Sequence, residues 1–178
     1  MALENTNTAP DKASYIAAIS GLIPTASATD IFTITGKSGR IIKINQIQIS
    51  GIATSAAAGP VSSVKRSTAN TGGGPVLVPG VGMDTANGGA QAAAQVLAYS
   101  ANPATLGTAL GSIATARMIL STASASVGTA PIAFIFERMY MKAPVLRDAT
   151  ESVCINYGGV TVAGNSIDLS ISWTEEQP

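Results

Sequence analysis

Residues 167–174 read Ile-Asp-Leu-Ser-Ile-Ser-Trp-Thr. Large apolar side chains at Ile167, Leu169, Ile171 and Trp173 alternate strictly with Asp168, Ser170, Ser172 and Thr174. A period of two marks a strand with one face in a core and the other toward solvent or a partner. The same pattern recurs toward the N-terminus. Val153, Ile155 and Tyr157 alternate with Ser152, Cys154 and Asn156, and Gly158-Gly159 offers a two-residue hairpin turn into Val160-Thr161-Val162. Ile132, Phe134 and Phe136 alternate with Ala133 and Ile135.

The first half continues the period. Ser14 to Gly21 reads as a strand, and Thr29 to Thr35 as a half-buried one, with Phe32 and Ile34 on one face and Thr29, Thr33 and Thr35 on the other. Gly36-Lys37-Ser38-Gly39 is a turn by composition. In Arg40 to Ile52 the isoleucines change parity at Asn45-Gln46, which predicts a β-bulge or a strand buried on both faces. Val61 to Ser67 is a short strand. Residues 69–89 hold seven glycines and two prolines and read as a loop, of a length that is usually functional or held by a partner. Ala90 to Tyr99 and Ala109 to Thr122 are ambiguous, because alanine favours helix while neighbouring glycine and Asn-Pro leave little room for one. The first is taken as strand, and Met118 to Leu120 is the more strand-like part of the second.

About seven to nine short strands between Gly, Pro and Asn turns, without a credible amphipathic helix, predict an all-β fold of the sandwich or jelly-roll kind. The expected architecture is a single-domain antiparallel β-sandwich over residues 14–178, carrying the glycine-rich loop at 69–89. Residues 1–13 are polar, contain Pro10 and lack periodicity, so they are expected to form an extended arm.

Composition removes much of enzymology. The 178 residues include no histidine, one cysteine, and equal numbers of Lys+Arg and Asp+Glu, 10 each. There is then no imidazole base, no Ser-His or Cys-His nucleophile pair, and no zinc or iron–sulfur ligand set. Zero net charge argues against nucleic acid as a partner, which is held chiefly by excess Lys and Arg, and leaves no charge barrier to self-association. Only 11% of residues are charged, against a norm of about 25%. Thirty residues are alanine, while Ile, Leu, Val and Phe together number 41. A modest core and a surface of small residues follow. No basic and apolar leader opens the chain, and no apolar run reaches the roughly 20 residues of a membrane helix, so a soluble chain without a membrane partner is expected.

Individual motifs have plain readings. Gly36-Lys37-Ser38 resembles the end of a phosphate-binding loop, but Ile31 stands where the first glycine belongs and an Ile-rich strand follows where a helix is required, so a hairpin turn is expected. The carboxylates Asp30, Asp84, Glu137, Asp148, Glu151 and Asp168 have no spacing that forces two of them together. Asp84 with Asn87 is thin ligation for calcium. Cys154 reads as a packed thiol, Trp173 as a core anchor, and Lys65-Arg66 as a solvated strand end. No cofactor or metal is expected, and the sequence points to a structural module.

Three stretches carry a family likeness: Asp30-Ile31-Phe32-Thr33-Ile34-Thr35-Gly36; residues 64–73, VKRSTANTGG; and Val96-Leu97-Ala98-Tyr99 leading to Asn102-Pro103 and Leu106-Gly107. With Val160-Thr161-Val162 and Trp173-Thr174-Glu175-Glu176, they resemble small virion proteins of tailed bacteriophages that decorate or cement the capsid, over most of residues 29 to 176. The resemblance implies a non-enzymatic β-sandwich, usually a homotrimer, clamping the major capsid protein on the outer capsid surface. The arm, at Ala2, Leu3, Glu4, Asn5 and Thr6, and the long loop, at Val76, Leu77, Val78, Val81 and Met83, are the contact residues expected from it. The alternatives are a tail, head-fibre or baseplate component with the same sandwich, and a carbohydrate-binding module using Trp173 or Tyr99 on a host-surface glycan. An enzyme is more distant.

Overall fold

The computed structural model describes residues 12–84, 92–122, 130–136, 142–158 and 165–178. The first eleven residues of the expected arm lie outside these, and Ala13 already opens the first strand. The described residues form strands and no helix: β1 (Ala13–Leu22), β2 (Asp30–Thr35), β3 (Ile41–Ala53), β4 (Ala57–Arg66), β5 (Val76–Val78), β6 (Val81–Gly82), β7 (Gln95–Ala98), β8 (Ala109–Thr122), β9 (Ile132–Ile135), β10 (Val145–Leu146), β11 (Ser152–Asn156) and β12 (Ser166–Glu176). The all-β class expected from the alternating segments is therefore the observed one.

Hydrogen bonding follows one path, β5-β7-β2-β11-β4-β8-β3-β12-β1-β6, with β9 and β10 added on β3. The sheet is curled. Its two ends, β5 and β6, are consecutive in sequence and joined only by Pro79-Gly80. A span of three Cα steps cannot exceed roughly 11 Å, so the ends must meet. Gly80 lies on this seam because nothing larger fits: a Cβ there would come within 2.9 Å of the Trp173 ring and 2.7 Å of the Ala92 side chain.

Pairing is antiparallel except in one place, which corrects the purely antiparallel expectation. Ile52 and Ala53 of β3 pair in parallel with Ser121 and Thr122 of β8. The cause is length. β8 runs antiparallel to β4 until Leu120 meets Ala57, the first residue of β4, and there it overruns its partner. β3 ends only three residues before β4 begins, so the overrun falls beside the end of β3.

The anchor strand behaves as its alternation demands. On β12, Ile167, Leu169, Ile171 and Trp173 are buried, and its register with β3 slips between Ser172 and Trp173. The slip leaves Asn45 without a partner on β12, at the parity change in β3, while its carbonyl accepts from the Phe136 N–H at 2.9 Å. Full burial of each such side chain contributes about 1.5–3 kcal/mol. The Trp173 and Tyr15 rings stack with centroids 5.7 Å apart.

Other expectations are corrected. Residues 69–89 are not loop throughout: Gly72, Gly73 and Gly74 take positive φ and turn the chain, and Val76–Val78 then pairs with β7. β8 is strand along its whole length, and β10 is an element that composition did not announce. The turn at Lys37–Arg40, closed by the Arg40 N–H on the Lys37 carbonyl at 3.1 Å, is no hairpin. β2 pairs with β7 and β11, and β3 pairs elsewhere, so this turn is a corner. Both edges of β11 are taken, by β2 and β4; the expected Gly158-Gly159 turn into Val160-Thr161-Val162 falls on residues 159–164, outside the described residues. β2 is buried on both faces rather than one.

Candidate functional site

The second buried face of β2 explains the polar chemistry of the molecule. Between Asn156 and Ile155 the β11–β2 register slips, so that Ile31 is the extra residue and Asp30 pairs with Asn156. Such a bulge re-aims the side chain beside it. Asp30 thereby joins the face that carries Thr33, Cys154 and Arg66 rather than the Phe32 face. There the Arg66 guanidinium grips it with both prongs, Nε to Oδ2 at 2.7 Å and Nη2 to Oδ1 at 2.9 Å. Asn70 Nδ2 donates to Oδ2 at 2.8 Å and Asn156 Nδ2 to Oδ1 at 3.0 Å. Arg66 Nη1 donates to the Gly107 carbonyl at 2.6 Å, and the Gly107 N–H donates to Asn70 Oδ1 at 2.8 Å. Both charged residues are buried. The expected solvated strand end at Lys65-Arg66 is thus corrected, and Lys65 itself donates to the Val145 carbonyl at 3.0 Å.

Burial by itself would raise the Asp30 carboxyl, but the hydrogen bonds from Arg66, Asn70 and Asn156 and the Arg66 charge outweigh it and hold its pKa below the usual carboxylate value. Burial, reinforced by the Asp30 charge, pushes the Cys154 thiol up to about 11, so it is a protonated, packed group at neutral pH. Every oxygen of Asp30 has donors, which makes this cluster a clasp between the strand ends and the segments around Asn70 and Gly107. Gly107 is required for that approach, since a Cβ would collide with the Thr68 carbonyl oxygen.

A second clasp lies at the seam. The Glu175 carboxylate accepts from Trp173 Nε1 at 2.9 Å and from the N–H groups of Ala93 and Ala94. It ties β12 to the chain entering β7, across the curl of the sheet.

The surface above this seam is apolar. Val76, Leu77, Val81 and Met83 are 57 to 65% exposed, while Val78 is buried in the core. Leu77 lines a groove of about 550 Å³ that Leu97, Thr35, Lys37 and Asn70 also line. Of the expected contact residues, Val76, Leu77, Val81 and Met83 are exposed and Leu77 lines the groove, while Val76 and Leu77, adjacent on β5, project to opposite faces of the sheet. Ala2, Leu3, Glu4, Asn5 and Thr6 lie outside the described residues. Trp173 and Tyr99 are buried and offer no face on which a sugar ring could stack. Among the described residues no three acidic or cysteine side chains gather to form a metal site.

What the sequence reading missed is β8. Leu110, Ile113 and Ile119 are exposed on it, and its only alternation in the sequence, Ala114, Ala116 and Met118 against Thr115 and Arg117, rests mostly on small side chains. Comparison with known protein families, with curated proteins and with solved structures gave no match.

Proposed function

We propose that this chain is a non-enzymatic virion structural protein that decorates and cements the outer surface of a bacteriophage capsid by bridging major capsid protein subunits, on a jelly-roll-type sandwich whose two ladders share one core. The observation that carries this reading is the strip of chain at the seam, residues 76–83, which exposes Val76, Leu77, Val81 and Met83 and borders the groove through Leu77 in a charge-poor β-fold. Large exposed apolar side chains concentrated in one segment mark an interaction surface, and here the close approach of Gly80 to Trp173 and the Glu175 clasp anchor that segment. A rigid strip of this kind loses little conformational entropy on docking. The shared core supports the sandwich: Phe32, Ile34 and Ile155 from one ladder and Ile47, Ile167 and Ile171 from the other belong to one buried cluster.

The test is binding of the purified chain to capsid shells lacking it. Replacing Val76, Leu77, Val81 and Met83 together by Ser is expected to weaken binding at least tenfold while leaving the circular-dichroism spectrum unchanged. Absence of binding by the parent chain, or equal binding by the variant, would overturn the proposal.

A further inference from the structure

β8 is the longest strand among the described residues, and among them only one of its edges is paired over most of its length. From Ala109 to Leu120 one edge is paired with β4, and among the described residues no strand lies on the other until Ser121 meets β3. An edge of this length presents roughly six N–H and six C=O groups outward. These groups specify the chemistry of an occupant, since only an extended polypeptide matches such a row.

The devices that normally blunt an exposed edge are scarce here. Residues 109–120, ALGSIATARMIL, contain no proline and no lysine, and Arg117 is their only charge. Leu110, Ile113 and Ile119 are 63, 40 and 64% exposed. The register slips of β4 against β8 fall at Ile113 and Leu110, and the stretch from Ala114 onward is regular.

We infer that β8 is the contact between two copies of this chain, paired antiparallel across a two-fold axis. Length selects a second copy. The strands that end the path or sit on β3 (β5, β6, β9 and β10) span two to four residues each, too short to cover this edge. A second β8 matches it in length, because a two-fold contact sets a patch against itself. Charge selects the register. An axis at Arg117 would oppose like charges, whereas one within Ser112–Ala116 sets each Arg117 against small or apolar residues and lets the backbones approach. The paired strip would be roughly 40 Å long and 10 Å deep, from strand rise and sheet thickness. That is about 400 Å² per copy, below a standard interface, so the dimer is reversible at micromolar concentration. The inference does not depend on the virion reading, and its two-fold contact differs from the three-fold one that the bacteriophage resemblance implies.

Light scattering and hydrogen exchange on the full chain, over about 1 to 200 µM, test it. The expected result is a mass rising from 17.8 kDa toward twice that value, with amides of residues 109–120 gaining protection as concentration rises. Ile113→Lys with Ile119→Lys is expected to weaken association at least tenfold, and Ile23→Lys, equally exposed but off the edge, to leave it unchanged. Should the double variant fail to fold by circular dichroism, Leu110→Lys replaces it. A monomer throughout, amides protected equally at every concentration, a closed trimer, or association indifferent to these substitutions would each overturn the inference.

Discussion

On β12 every second side chain from Ile167 to Glu175 is buried and both edges are paired, to β1 and to β3. On β8 burial alternates only from Ala114 to Leu120, is complete only at Met118 and Leu120, and one edge is paired over most of its length. The strands are of similar length, so the difference lies in what covers them. A strand with a core on one face is forced to alternate. A strand whose inward positions are Ala114 and Ala116, and whose outward positions meet no core, carries no such demand, and small residues accumulate there. Alternation in a sequence is therefore a record of one-sided burial rather than of strand conformation itself.

The largest effect expected from breaking this contrast is at Trp173. Trp173→Ala removes the ring stacked on Tyr15, opens the space beneath Gly80, and takes one of the donors from the buried Glu175 carboxylate. Large aromatic truncations in cores cost about 3–5 kcal/mol, and the loss of the donor places this one near the top. Urea unfolding monitored by fluorescence of the tyrosines measures it. A cost under about 2 kcal/mol would show that β12 is not the anchor of the fold.

Next in size is the polar clasp. Asp30→Ala strands the Arg66 guanidinium in a buried site, a change that typically costs 3–5 kcal/mol. About 3 kcal/mol is expected, because Arg66 keeps its bond to the Gly107 carbonyl. The pH dependence has a definite sign. The Asp30 pKa is lowered on folding, so its stabilisation is complete above the unfolded value near 4 and is lost as pH falls through the lower folded value. The gap between parent and variant should be flat from about pH 5 to 8 and close only below about pH 4. A gap that closes between pH 5 and 7 would mean that Asp30 is not held as the charged form.

The same contrast explains how much of the molecule was legible. Ile167, Leu169, Ile171 and Trp173 declared β12 because burial had filtered them, and the parity change at Asn45 declared the bulge in β3. Asp30 and Arg66 did not declare their pairing. They lie 36 positions apart, and the bulge at Ile31 that turns Asp30 onto the Arg66 face leaves no mark in local composition. Val76, Leu77, Val81 and Met83 stood out as apolar residues in a glycine-rich stretch, yet nothing in the sequence separates them from Val78, which is buried beside Val96 of β7 while they are exposed. The open edge of β8 was hidden for another reason: an unpaired edge is a property of the sheet order, and no residue in the strand records it.

The smallest effect makes the sharpest comparison. Ile171→Val on β12 and Ile119→Val on β8 each delete one methylene and keep a β-branched side chain, so strand propensity is the same in both and only burial differs. Ile171 is buried and Ile119 is 64% exposed. The first change should cost about 1 kcal/mol, within the usual range for Ile→Val in a core. The second should fall within about 0.5 kcal/mol of zero, as exposed substitutions do. Both are measured by urea unfolding at about 1 µM, where association through β8 contributes least. If Ile119→Val costs as much as Ile171→Val at that concentration, the outer face of β8 is covered within a single chain, and the distinction between the two strands fails.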